Sequence, residues 1–358
     1  MRGRPLPEEE ACGQHEAKHY FNQLRFMYFR YNRTSTSSTT SSGQLRVYTP
    51  VFTTTMDVDE ARLEKTYSFP KGNADVERLE LQHQICVLRF GGLYPEEIEG
   101  QVQHLMTQRD SEVLDVGCGS SPIWSTQMAK RFPKVNITGL DLAPLTDGEY
   151  PKNFSFVRHD LTKGFPDEYK NRFSILHCRL VCQQFPDPPM LIKGMADCLK
   201  PNGLLLLIDG GGQTYGQDKK PVTPFKYDPS RSITENLKNT EGGSWHAGWF
   251  AELGRGVRSP TFKPPPELIR QTPLKEIMSQ EYLVPYGWEG GGIRNGKKLG
   301  DLMMKNAETV YKFSPAILAR LNDLPDEIKK ALVTKGFQEL KGRKMYIHLW
   351  YTVGMRSE

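Results

Sequence analysis

Three aspartates stand where short apolar runs end. Asp115 lies in the run 113–116, Asp141 closes "VNITGLD" and Asp160 closes "FSFVRHD". Each acid taken alone reads as a helix cap or a loop residue. Three at the ends of successive strands read as a ligand edge. A carboxylate after the second strand accepts both hydroxyls of a ribose. One after the third accepts the exocyclic amine of an adenine, with the Leu161 N–H facing a ring nitrogen. The first, Asp115, precedes "GCGSS", in which Gly117 and Gly119 flank Cys118. Glycine lets the backbone turn with positive φ and removes the Cβ that would hold a ligand away. The dinucleotide fingerprint needs a third glycine for a pyrophosphate turn. Ser121 and Pro122 follow here instead, and proline offers no N–H to a phosphate. Asp115 is awkward beside pyrophosphate and welcome beside an ammonium or sulfonium. Adenine, ribose and a cationic tail without phosphates describe S-adenosyl-L-methionine.

Those residues need a scaffold of alternating elements. Helical spacing at 76–90 ends in Gly91-Gly92. Strands follow at 113–116, 135–141, 154–160, 173–178 and 203–212, separated by helices at 123–131 and 190–201. The strand at 203–212 is apolar on both faces, as a central parallel strand is. A helix is expected over 300–312. A last strand at 344–355 pairs with a hairpin partner at 281–287. The alternation predicts a doubly wound α/β sheet with the ligand along one edge.

The segments "VLDVGCGSS", "GLDLAP", "VRHDLT", "HCRLVCQQF" and "LKPNGLLLLIDG" resemble the ordered motifs of class I S-adenosylmethionine-dependent methyltransferases. "YSFPKGNADVERLELQHQICVLRFGGLYP" further resembles the LaeA-type fungal methyltransferases, where a similar helix covers the cofactor. The resemblance implies a Rossmann-like seven-stranded sheet with an antiparallel last strand and an N-terminal helical cover. It implies S-adenosyl-L-methionine bound by Asp115, Gly117, Cys118, Gly119, Asp141, Leu142, Asp160 and Leu161, with Cys178 near the sulfonium. Ser121 departs from the pattern where a third glycine is common. The implied activity is O-methylation of a small secondary metabolite. The alternative is a nuclear regulator acting in a protein complex, and an NAD-dependent oxidoreductase is the rival from another class.

The domain layout expected is a largely disordered tail at 1–60, which holds "TSTSSTTSSG", followed by one methyltransferase domain at 61–358. Within it lie a helical cover (61–110), the cofactor core (111–212), substrate-side insertions (213–300), and C-terminal helices with the last strand (301–358). The net charge of +5 carries no run of five basic residues, so no nucleic-acid partner is expected. "LLLLI" is too short to cross a bilayer. Six cysteines form no CxxC pair, so neither a metal site nor a disulfide framework is expected. Reduced thiols and the absence of an apolar leader place the chain in the cytoplasm, with the nucleus open. "DPPM" at 187–190 follows its strand too late to act as an amine-methylation motif and reads as a loop. No catalytic residue is assigned. His246 is a candidate general base, and Tyr215, Trp245, Trp249 and Trp288 are candidate walls of an acceptor pocket. Oligomeric state is left open.

Overall fold

The computed structural model describes residues 52–55 and 73–358. The tail expected at 1–60 lies outside the described residues except for β1 (Phe52–Thr55), which is an edge strand rather than part of a tail. The remaining strands are β2 (Glu112–Val116), β3 (Asn136–Asp141), β4 (Phe154–Arg158), β5 (Phe173–Arg179), β6 (Leu199–Gly216), β7 (Leu274–Pro285) and β8 (Met345–Arg356). They form one sheet in the order β1-β4-β3-β2-β5-β6-β8-β7. Strands β1 to β6 pair in parallel, and β8 runs antiparallel between β6 and β7. The seven expected strands are all present, and β1 adds an eighth.

Alternation along each central strand sorts side chains into two cores. Val113, Ile175, Leu204 and Leu206 face one layer, and Leu114, Leu176, Leu205 and Leu207 face the other. The first layer holds α1 (Asn73–Phe90), α2 (Glu99–Met106), α3 (Ile123–Arg131), α6 (Trp245–Val257), α8 (Gly296–Leu318) and α9 (Asp326–Gly342). The second holds α4 (Pro188–Cys198) and α7 (Pro265–Ile269), and the short α5 (Ile233–Lys238) lies between β6 and α6 in the chain. The chain visits β2, β3 and β4 in one direction, then β5 and β6 in the other. The order reverses between β2 and β5, where open α/β sheets bind ligands.

Two sequence features resolve locally. Asp187 caps α4, its carboxylate accepting the Met190 N–H at 3.1 Å, with proline in the first turn. "DPPM" is thus a helix start. The helix expected at 300–312 runs from 296 to 318. Gly300 lets it dock: the Gly287 N–H donates to the Gly300 carbonyl at 2.9 Å. A Cβ at Gly300 would stand 2.2 Å from the Trp288 carbonyl oxygen. Gly300→Ala must push α8 off this segment and should cost about 1–3 kcal/mol, the usual range for overpacking. Urea unfolding measures it, and an unchanged midpoint would show that α8 does not depend on this approach.

Candidate functional site

The turn after β2 begins with two left-handed glycines, Gly117 at φ +68° and Gly119 at φ +79°. A Cβ on Gly117 would lie 2.4 Å from a Val181 methyl, so both conformation and space demand glycine there. The Gly117 and Cys118 N–H groups donate to the Leu140 carbonyl at 2.8 and 3.2 Å. The Gly119 N–H donates to the Asp141 carboxylate at 2.8 Å, and the Ala143 N–H to its other oxygen at 2.8 Å. Ser121 lies outside the positive-φ set, so a glycine's freedom is not required at that position. Pro122 caps α3 without a donor.

Asp115 and His177 are register partners on β2 and β5. The Asp115 carboxylate accepts from Ser125 Oγ at 2.5 Å and meets His177 Nδ1 at 2.7 Å. Both residues are 2% exposed. The His177 ring stacks on Trp124 with centroids 3.8 Å apart. Burial lowers the His177 pKa, and the Asp115 charge opposes that shift. Asp160 caps the turn at 161–163, accepting from the Thr162 N–H at 3.0 Å and Thr162 Oγ1 at 2.6 Å.

These residues line one cavity of about 350 Å³. Its wall includes Asp115, Gly117, Cys118, Gly119, Asp141, Leu142, Asp160 and Leu161, eight of the nine positions named from sequence. Cys178 is the exception. Successive strand residues face opposite layers, so His177 and Arg179 turn to the cavity while Cys178 is fully buried in the second core, 3.9 Å from Cys182 Sγ. Its expected place beside a sulfonium is corrected accordingly.

The cavity continues onto α6, β7, α8 and β8. There it is lined by Trp249, Phe250, Leu253, Val257, Val284, Tyr286, Met303, Ala307, Val310, Ile347 and Leu349. Arg258, Asn306, the Tyr286 hydroxyl and the unpartnered Trp249 indole N–H are the polar groups on that wall, and no Asp, Glu or His joins them. Of the four expected aromatic walls only Trp249 lines the cavity. Trp245 stacks on Phe225, the Trp288 indole N–H donates to the Met345 carbonyl, and Tyr215 donates to Glu281. Sequence reasoning missed His177, Arg179, Arg258 and Asn306. The first two were readable from the two-residue period of β5. Arg258 and Asn306 carried no local sequence signal, and the packing of the Arg258 guanidinium against Gly212 is seen only in the fold.

The donor set fits S-adenosyl-L-methionine. The Gly119 N–H is taken by Asp141 and Pro122 has none, so the turn is not built for pyrophosphate. Three acids at one end suit a cationic ligand. Among the described residues no cluster of three His, Cys, Asp or Glu is arranged to hold a metal, and no helix is long and apolar enough to cross a membrane.

His246 is a core residue, not a base at the cavity. It is fully buried, its Nδ1 meets the Tyr311 hydroxyl at 2.8 Å, and it is absent from the cavity wall. Burial pushes its imidazole down to about 3 from the ordinary 6.5. The unfolded chain takes up that proton below about 6.5 and the folded protein only near 3. Its contribution to stability is therefore complete above 6.5 and is lost as pH falls through that window. His246→Gln removes this proton uptake. The stability gap between the wild type and the variant should narrow from pH 7.5 to pH 5 in urea unfolding. An equal gap at both pH values would contradict a neutral buried His246.

Comparison with known proteins agrees with the geometry. Residues 91–234 match a family described as a methyltransferase domain. The secondary metabolism regulator laeA of Coprinopsis cinerea is 30% identical over 54% of this chain and 44% of its own. Methyltransferase str2 of Strobilurus tenacellus is 28% identical over 49% and 57%. N-methyltransferase verN of Clonostachys rogersoniana is 26% identical over 46% and 57%. The chain thus spans about half the length of these curated relatives. Over residues 91–234 the chain thus matches a methyltransferase domain, and its sheet order, glycine turn and three strand-end acids fit a class I S-adenosyl-L-methionine-dependent methyltransferase fold that resembles the LaeA type.

Proposed function

We propose that the protein methylates a small-molecule acceptor at oxygen, in fungal secondary-metabolite biosynthesis. The observation that carries this reading is the single cavity that joins three acids at the sheet edge to an apolar wall on α6, β7, α8 and β8. When bound, S-adenosyl-L-methionine supplies a methyl carbon on a positively charged sulfur that leaves as a neutral thioether. Asp141 would hold the ribose, Asp160 with Leu161 the adenine edge, and Asp115, Gly117 and Gly119 the methionine side. The protein's own task is alignment and exclusion of water. Trp249, Leu253, Met303 and Val310 supply a dry surface against which an acceptor is held.

Oxygen is favoured over nitrogen by charge. An amine acceptor arrives as an ammonium and must shed a proton. The acceptor wall offers it no carboxylate and no imidazole, and it carries Arg258. The verN name keeps N-methylation as the competing outcome. A regulatory role within a protein complex is the second reading, supported by the similarity to the secondary metabolism regulator of Coprinopsis cinerea. We place the enzyme in the cytoplasm. A tagged protein confined to the nucleus would favour the regulator.

Calorimetry separates the cofactor classes. S-adenosylhomocysteine should bind and NAD should not; NAD binding with no S-adenosylhomocysteine binding would overturn the reading. Asp141→Ala should weaken S-adenosylhomocysteine by about 1–3 kcal/mol, because charge-assisted hydrogen bonds are lost. Unchanged affinity would remove Asp141 from the site.

A further inference from the structure

Arg258 follows α6 and folds back over that helix's last turn. A Cβ on Gly254 would stand 3.0 Å from Arg258 Nη1, and one on Gly212 would stand 2.2 Å from it. The guanidinium therefore lies in a slot between two glycines. Gly212 has φ +78°, at the place where β6 leaves its register with β8 between Gly210 and Thr214. The bulge opens the slot, and any side chain on Gly212 would close it.

Among the described residues no acid is bonded directly to this cation. Its side chain makes no hydrogen bond or ion pair among them, and its buried Nε has no partner. Asp209 is the acid whose charge it feels. That carboxylate is fully buried and accepts the Gly210 N–H at 2.8 Å and the Gln183 N–H at 3.2 Å, and it makes no direct ion pair with Arg258. The Phe262 ring lies 5.6 Å from the guanidinium and gives only a weak cation–π contact. Arg258 is half-buried with its Nε sealed and unpaired, and its guanidinium keeps donors that a ligand can take up.

A second observation points the same way. Asn306 is 6% exposed, lines the same wall, and its Oδ1 is buried with no hydrogen-bond partner. A polar end left bare in an apolar wall is a binding group awaiting its complement. The wall thus combines a grease-lined surface, one free cation and one free amide oxygen.

We propose that the acceptor is an apolar carboxylic acid whose carboxylate is seated on Arg258. The guanidinium fork matches a carboxylate in two parallel hydrogen bonds. Asn306 accepts from a hydroxyl or N–H elsewhere on the same molecule. A carboxylate is ionised at neutral pH, so it enters this wall without needing a base. This class assignment rests on the methyltransferase reading above.

The test uses the full chain saturated with S-adenosylhomocysteine. Phenylacetate, indole-3-acetate and octanoate are each titrated against their neutral amides by calorimetry. At least one acid should bind, tenfold or more tighter than its amide, and the difference should shrink as salt is raised. Arg258→Gln should abolish the preference, and Arg258→Lys should keep part of it because it keeps the charge. S-adenosylhomocysteine affinity should be unchanged in both variants, which also reports that they are folded. Acids and amides bound equally, no acid bound, or a preference that survives Arg258→Gln each overturn the proposal. Loss of S-adenosylhomocysteine binding by the wild-type protein would instead refute the methyltransferase reading.

Discussion

The bond from the Gly119 N–H to the Asp141 carboxylate fixes the floor of the site. It ties the turn after β2 to the end of β3, and the Ala143 N–H completes the same carboxylate. With the Gly117 and Cys118 N–H groups held by the Leu140 carbonyl, every early donor of the turn is spent on the neighbouring strand. The glycines are there for conformation and for the approach of Val181. They are not there to present N–H groups to a phosphate. That accounts for the missing third glycine: Ser121 occupies ordinary backbone, and the Ser120 carbonyl beside it accepts the Thr146 N–H at 2.9 Å.

The bland and the functional readings of the three aspartates turn out to be compatible. Asp160 caps a turn, Asp141 accepts two backbone N–H groups, and Asp115 is locked to Ser125 and His177. Each is a structural acceptor and also a wall of the cavity. A carboxylate has about four acceptor sites, so two structural bonds leave capacity for a ligand. Rigidity follows directly: acids held by the backbone do not have to be ordered when the cofactor arrives, and less entropy is lost on binding.

The sheet was legible in the sequence because its signal is local. Apolar runs ending in an acid, a proline-capped helix start and a strand apolar on both faces each carry their own period. The acceptor wall was not legible. It is assembled from α6, β7, α8 and β8, which lie between 245 and 356 and have no strand-end motif. Aromatic residues there looked alike from sequence, and only Trp249 of the four faces the cavity. His246 was equally ambiguous in the sequence. It lies three residues before Trp249 on α6 and shares its face toward Tyr311, but it is fully buried and does not reach the cavity wall. Cys178 failed for a simpler reason: a strand places adjacent residues on opposite faces, and His177 holds the cavity side. The edge strand β1 carried no turn or cap signal that would separate it from the polar tract before it.

Three carboxylates line the cavity at the sheet edge, and under the proposed function their effect on a cationic ligand bears on where catalysis originates. Carboxylates beside a cationic ligand attract it before the methyl group leaves and attract its neutral product less. They favour loading and release, and they do not by themselves lower the barrier, since a group that binds the reactant best stabilises the ground state. The acceleration must then come from how the acceptor is aimed and dried. That task falls on α6 and α8, whose packing depends on Gly300 meeting the Trp288 backbone and on Tyr311 stacking against Trp249 at 3.7 Å. An effective concentration gained by alignment is sensitive to displacements of about an ångström. Under the proposed function, the residues that hold α6 and α8 against the sheet would then bear on the rate more than the acids at the strand ends.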